Sequence, residues 1–370
     1  MFKRDYYLAQ VMNRVRLLPG LALSAALGAA AMALGGFGWL ANHGISALTL
    51  AIVLGLLVGN SIYPRIAAAS CDGVRFSKQT LLRAGVILYG LRLTLVDIGH
   101  VGIVGVLIDA LVILSTFSLA CLIGTRYFGL DGKTAMLIGA GSAICGAAAV
   151  MATEPVVRGR AEQVTVAIST VVLFGTIAIF LYPLLYSLNV HWLLLPSGAN
   201  AFGIYAGSTI HEVAQVVAAG RSVGADTANT AVITKLVRVM MLAPFLIGLS
   251  AWLARDTAKA GRESTNECAA DTVNAATGTA RRRLPIPWFA FGFILVVMFN
   301  SLSLLPQRMV AIAINVDTLL LAMAMAALGL TTHLSAIRQA GLKPMLLGCI
   351  LFAWLIIGGG TINRLVENWL

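Results

Sequence analysis

Gly139-Ala140-Gly141-Ser142-Ala143-Ile144-Cys145-Gly146, in the middle of an apolar run, is the stretch on which the architecture of this chain turns. Three glycines in eight residues disfavour a continuous helix. Glycine also serves close helix contacts in membranes, so packing alone competes with this explanation. The clustering, with Ser142 and Cys145 between the glycines, favours an interrupted helix whose freed backbone groups face a cavity. A second helix starting near Cys145 would aim its N–H groups and the positive end of its dipole at the gap, an arrangement suited to an anion.

Composition places that stretch in a membrane. The chain has 370 residues, 59% apolar and only 11% charged, with mean hydropathy +0.89. Ordinary soluble proteins are roughly 45–50% apolar and about 25% charged. The polar residues needed to coat water-soluble domains are missing, which excludes a soluble enzyme, a disordered chain and a disulfide scaffold. Long unbroken apolar stretches, rather than short alternating ones, point to helices and not to a barrel. Eleven spans are predicted, near 18–40, 45–63, 79–97, 100–124, 134–153, 164–187, 198–219, 229–253, 286–305, 310–330 and 343–363. The first follows Lys3, Arg4, Arg14 and Arg16 and runs on to Leu40. That outruns the roughly 7–15-residue core of a cleaved signal peptide, so an uncleaved anchor is expected.

With the N-terminus in the cytoplasm, 18 of the 26 Lys and Arg residues fall on inner segments. Arg158, Arg160, Arg221, Arg308 and Arg364 fall outside, and Arg92, Lys235 and Arg238 lie within spans. This bias predicts an N-in, C-out topology. The net charge of +11 is therefore a topology signal, with no nucleic-acid partner. The expected organisation is a cytoplasmic segment 1–17, a membrane part 18–253 with eight spans, a hydrophilic cytoplasmic linker 254–285 and a membrane part 286–370 with three. No GxxxxGK[ST] motif occurs, and the five scattered cysteines have no metal-ligand spacing, so neither cofactor nor metal is expected.

Span seven echoes span five: GSAICGAAAVMA (141–152) and GSTIHEVAQVVA (207–218) share six of twelve positions, consistent with internal duplication. His211, Glu212 and Gln215 share much of one helical face. Ionisable groups at membrane depth are costly and point to function, unless the span starts later and they sit at the interface. Span eight carries Thr234, Lys235 and Arg238, span three Arg92 and span four Asp109. Snorkelling or structural ion pairs compete here with an anion site or a proton-coupled one. In span ten, Gly329-Leu330-Thr331-Thr332-His333 is a candidate second interruption, and Asp317 reads as a helix cap or a water-facing group.

Leu88-Tyr89-Gly90-Leu91-Arg92-Leu93, Gly141 to Ala149, Gly207 to Gln215, Thr234-Lys235-Leu236-Val237-Arg238 and Ala326 to Leu330 resemble the YeiH-type family of bacterial inner-membrane proteins. That family is named for sulfate export, a role inferred for most of its members. The resemblance runs from about span two to span eleven. It implies kinship with cation/proton antiporters and bile-acid symporters. The implied fold is an all-α polytopic membrane protein of about 11 transmembrane helices. Two inverted five-helix repeats with broken crossing helices would follow an extra N-terminal span.

The leading expectation is an ion-coupled secondary transporter, not an enzyme, that exports sulfate, sulfite or a related sulfur-containing anion by alternating access. Helix ends near Gly141–Gly146 and Gly329–Thr332 would hold the anion with Ser142, Cys145, Ser208, Thr209, Thr331 and Thr332. Arg92, Lys235 and Arg238 would supply positive charge. His211 or Glu212, with Gln215 and Asp109 nearby, would carry the coupling proton or cation. A cation/proton antiporter using Asp109 and Glu212 is the alternative, and a passive anion channel a further one. The expected setting is the lipid bilayer of the inner membrane, and a homodimer is left open.

Overall fold

The computed structural model describes residues 2–36, 46–192, 196, 198–263, 288–332 and 340–369. The described residues are helical, with no strand among them. In chain order the first helices are α1 (Phe2–Gly35), α2 (Ala47–Ser61), α3 (Tyr63–Phe76), α4 (Leu82–Tyr89), α5 (Leu95–Arg126), α6 (Gly132–Ala143), α7 (Ala147–Val157) and α8 (Ala161–Trp192). Then come α9 (Ala199–Thr209), α10 (Val213–Val223), α11 (Ala225–Met240), α12 (Leu242–Glu263), α13 (Trp288–Ser301), α14 (Gln307–Leu330) and α15 (Leu342–Trp369). Among the described residues, six stretches are long and apolar enough to cross a membrane: 16–35, 101–126, 161–189, 225–255, 307–330 and 342–367. The linker expected at 254–285 begins as a continuation of α12, and residues 264–287 lie outside the described residues, as does His333.

The helices pack as two bodies. In the first, α1, α2, α3, α4, α13 and α14 meet through small residues. A Cβ at Gly20 would strike the backbone of Ser70, Gly73 and Val74, and one at Gly55 the backbone of Ala326 and Gly329. Lipid tails give apolar helices no hydrophobic reason to associate, so close backbone approach and dispersion do this instead. This packing decides span ten. The helix α14 runs unbroken through Gly329 to Leu330, because Gly329 lies against Ile52 and Gly55 of α2 and serves as a contact, not as a break. The helix ends at Leu330, and residues 333–339, where the rest of the expected second interruption falls, lie outside the described residues; a break is seen in span seven.

The second body holds α5 to α12 and α15, and in it spans five and seven fold back on themselves. Near the start of α6, Lys133 Nζ donates to the carbonyl of Arg158, just past the end of α7, at 3.1 Å. Asp131 Oδ2, at the head of α6, accepts from Gln163 Nε2 of α8 at 2.6 Å. Near the tip, a Cβ on Gly141 would meet Val150. Both ends of the α6–α7 pair are thus on one side, and its tip is Ile144-Cys145-Gly146. The pair α9–α10 behaves alike. Asn200 and Gly203 of α9 meet Thr230, Gly207 meets Ala231 and Thr234, and Gly220 of α10 meets Ala228. One arm therefore runs parallel to α11 and the other antiparallel, with the tip at Ile210-His211-Glu212.

These two hairpins enter from opposite ends of α8, whose 32 residues measure about 48 Å at ~1.5 Å per residue. Spans five and seven are therefore not crossings, as hydropathy had implied, but re-entrant pairs. Hydropathy measures apolar length, and two apolar arms of 11 or 12 residues read like one span of about 20. The first hairpin also puts Arg158 and Arg160 on the same side as Arg126 and Lys133, instead of opposite them. That change strengthens the charge bias.

Contacts between the two bodies are sparse, and their polar links gather near the base of the second hairpin. Ser46 Oγ donates to the Ala218 carbonyl at 3.4 Å, Thr49 and Ser222 share a hydroxyl hydrogen bond of 3.1 Å, and Tyr89 OH donates to Asn229 Oδ1 at 3.0 Å.

Candidate functional site

The two tips meet at Lys235 and Arg238 of α11, both fully buried. Lys235 lies ten residues beyond Ala225, the start of α11. That is about 15 Å along the helix, half of the roughly 30 Å hydrocarbon thickness. Its Nζ donates to the carbonyls of Ile144 and Ile210, each at 2.6 Å. These residues directly follow α6 and α9, so one ammonium holds the negative dipole ends of both entering arms. Arg238 binds the same end of α6, with Nε donating to the Ala143 carbonyl at 2.6 Å and Nη2 to that of Ser142 at 3.4 Å. Carbonyls that no helix can pair are thus satisfied, as a buried helix end requires.

The two departing arms start with their positive ends at the same place. Gly146 precedes α7 with φ +70°, and a Cβ there would strike the Glu212 side chain. Glu212 caps α10 in a reciprocal box with Gln215, whose Oε1 accepts the Glu212 N–H at 3.0 Å. The Glu212 carboxylate also reaches across to the other hairpin, where Oε1 accepts the Ala147 N–H at 3.3 Å. The tip region therefore holds cations on the two C-terminal ends and a carboxylate between the two N-terminal ends.

Several polar atoms around this junction have no hydrogen-bond partner among the described residues. They are both carboxylate oxygens of Asp109, His211 Nδ1, Gln215 Nε2 and Arg238 Nη1. Asp109 lies within electrostatic reach of Arg238 and Lys235, and so does His211. Buried polar groups left unpaired cost about 1–3 kcal/mol each, so such a cluster marks a place built for something besides stability.

The structure thus brings Gly141, Ser142, Cys145, Gly146, His211, Glu212, Gln215, Lys235, Arg238 and Asp109 to one region. Ser208 and Thr209 lie in the last turn of α9, where both hydroxyls donate to the Tyr205 carbonyl. Three expected residues lie elsewhere. Thr331 Oγ1 accepts from Lys78 Nζ at 3.2 Å, and the Thr332 carbonyl accepts from Asn60, so both belong to the first body. Arg92 forms an ion pair of 2.8 Å with Asp317 and sits 5.2 Å from the Tyr89 ring centre. Asp317 is fully buried, ten residues into α14, and is not the cap or water-facing group that its sequence position suggested.

Asp317→Ala would strand the Arg92 guanidinium, and stability is expected to fall by about 3 kcal/mol. The double change with Arg92→Met should recover much of this, as read by thermal unfolding in detergent.

Two supporting residues were not singled out from sequence. Gly175 of α8 leaves the space that the Gln215 amide occupies, and Asn363 of α15 donates to Ser208 Oγ at 3.1 Å. A lone glycine inside an apolar run and an asparagine next to Arg364 are their only signals.

Comparison with known proteins places the chain among proteins of the same length. The family described as conserved hypothetical protein 698 matches residues 19–348. A UPF0324 membrane protein of Pseudomonas aeruginosa is 64% identical over 358 residues, covering 97% of this chain and 96% of its own. The UPF0324 inner membrane protein YeiH of Salmonella typhimurium is 55% identical over 351 residues, 95% of each chain. YeiH of Escherichia coli K12 is 53% identical over the same length and coverage. No solved structure matches the chain.

Proposed function

We propose that this chain, which belongs to the UPF0324 family of membrane proteins, is an ion-coupled secondary transporter for a small anion. Sulfate, sulfite and related sulfur-containing anions are the candidate substrates. The observation that carries this reading is the meeting of two re-entrant hairpin tips on one buried ammonium, Lys235. Irregular backbone at membrane depth is tolerated only where it is buried or lines a pathway, and broken helices at the midplane are the usual substrate site of secondary transporters. Lys235 and Arg238 favour an anion as cargo. The sparse seam between the two bodies favours relative motion, as alternating access needs. Its setting in this proposal is the inner membrane, with the N-terminus and the 254–285 linker cytoplasmic and the C-terminus external, following the positive charges.

Reconstituted protein should move radiolabelled sulfate, sulfite or an alkanesulfonate across a vesicle membrane, with a rate that responds to an imposed pH gradient. Absence of flux for all three under every gradient overturns the proposal. A cation/proton antiporter is the second reading, favoured by the Asp109 carboxylate, which has no hydrogen-bond partner among the described residues. It would show proton flux dependent on Na⁺ or K⁺ and indifferent to sulfur anions.

A further inference from the structure

The charges at the hairpin tips are arranged by helix polarity. Cations occupy the C-terminal ends of α6 and α9, and the one carboxylate bonded at the tips occupies the N-terminal ends of α7 and α10. Two helix N-termini from opposite hairpins, each with amide hydrogens that no helical carbonyl can take, form a binding place for an anion. Glu212 already fills it. Its side chain reaches from the head of one hairpin to the Ala147 N–H of the other, through the space left by the missing side chain of Gly146. Glu212 and Ala147 are partly exposed, while Gly146, His211 and Gln215 beside them are buried.

Two further observations point to an anionic ligand at this place. Gln215, fully buried, uses its Oε1 in the same capping box but leaves its Nε2 donor unpartnered among the described residues. Arg238, fully buried, has Nε and Nη2 on the carbonyls just before the first tip and leaves Nη1 unpartnered. Two buried donors left free at a place already favourable to negative charge, beside an Asp109 carboxylate with no hydrogen-bond partner among the described residues, are what an oxyanion with several acceptor oxygens would satisfy.

We propose that Glu212 is a tethered competitor for the transported anion: its carboxylate occupies the substrate's place between the two hairpin N-termini. The anion enters only when Glu212 takes up a proton and withdraws. Lys235 of α11 and the Cys145 thiol of the facing tip lie in electrostatic reach of Glu212, with His211 next to it in the chain; Arg238 of α11 and Asp109 of α5 stand behind Lys235. The ammonium of Lys235 is held by two carbonyls and stays at the tips throughout. Two negative charges cannot share the place, so proton and anion occupy the protein together and cross in the same direction. This rests on the anion-transport reading above and specifies its coupling.

The test uses the full-length protein in detergent and in vesicles, with sulfate, thiosulfate and an alkanesulfonate as probes, none of which titrates near neutral pH. Binding to wild-type protein in weak buffer should take up about one proton per anion, and affinity should rise as pH falls. In vesicles, acid on one side should drive labelled anion to the other. Glu212→Gln should bind anion with no proton uptake and no pH dependence, and should exchange anion without response to a pH gradient. Anion binding to the wild type without proton uptake, release of protons on binding, or anion movement against the proton's direction would each overturn the competitor role while leaving anion transport standing. If the wild type neither binds nor moves any of the three probes, and moves no sulfite either, both proposals fall together. The proton-uptake measurement needs no variant, so it decides the matter even if Glu212→Gln does not fold.

Discussion

Lys235→Met should abolish transport and lower stability by about 4 kcal/mol, since each of two buried carbonyls left without a partner costs roughly 1–3 kcal/mol. The side-chain volume is nearly kept, so a cavity contributes little. What is lost is the ammonium that joins the Ile144 carbonyl of one hairpin to the Ile210 carbonyl of the other, at 2.6 Å each. Without it, two helix C-terminal ends face each other in a low-dielectric setting, and like dipole ends repel. Lys235→Arg keeps the charge, but its planar fork does not place one donor nitrogen between two carbonyls, so it should recover stability only in part and transport hardly at all. Thermal unfolding in detergent and vesicle flux read the two effects separately. A folded, transporting Lys235→Met protein would remove Lys235 from the centre of the mechanism.

The second large effect is expected from a single methyl group. Gly146 has φ +70° at the tip of the first hairpin, a conformation that side chains rarely adopt and that costs on the order of 1–3 kcal/mol. Gly146→Ala also places its Cβ where the Glu212 side chain now lies. The carboxylate must then leave the Ala147 N–H, and transport should fall at least tenfold at any pH. Gly99→Ala is the matched control. A methyl group added at that glycine would meet nothing within 4 Å, and its φ is not positive, so flux and unfolding temperature should stay at wild-type values. Equal effects at both positions would mean that the tip geometry has no special role.

Much of the tip was legible in the chain. The glycine cluster announced a break at Gly141–Gly146, and the echo at Gly207–Gln215 marks the second one at the matching residues: α6 ends at Ala143 and α9 at Thr209, α7 begins at Ala147 and α10 at Val213. The intramembrane charges Lys235, Arg238, Glu212 and Asp109 stood out because charge is scarce in lipid. At Gly329 the local sequence could not decide between a break and a contact. A glycine that opens a helix and a glycine that lets two helices touch have the same local sequence, and only the presence of Gly55 and Ile52 against it decides between them. Arg92 misled, because its partner Asp317 is more than two hundred residues away.

By itself, the sequence determined that this is a helical membrane protein, where its apolar helices lie, and where one of them, span five, breaks. These follow from composition, hydropathy and backbone propensity, which are local quantities. Only the tertiary structure decided that the broken segments turn back from opposite sides instead of crossing. Only it showed which of the buried charges converge, and that one lysine and one glutamate sort themselves onto opposite helix ends. Chain reversal and charge pairing depend on distances between residues far apart in sequence, and hydropathy contains no such distances.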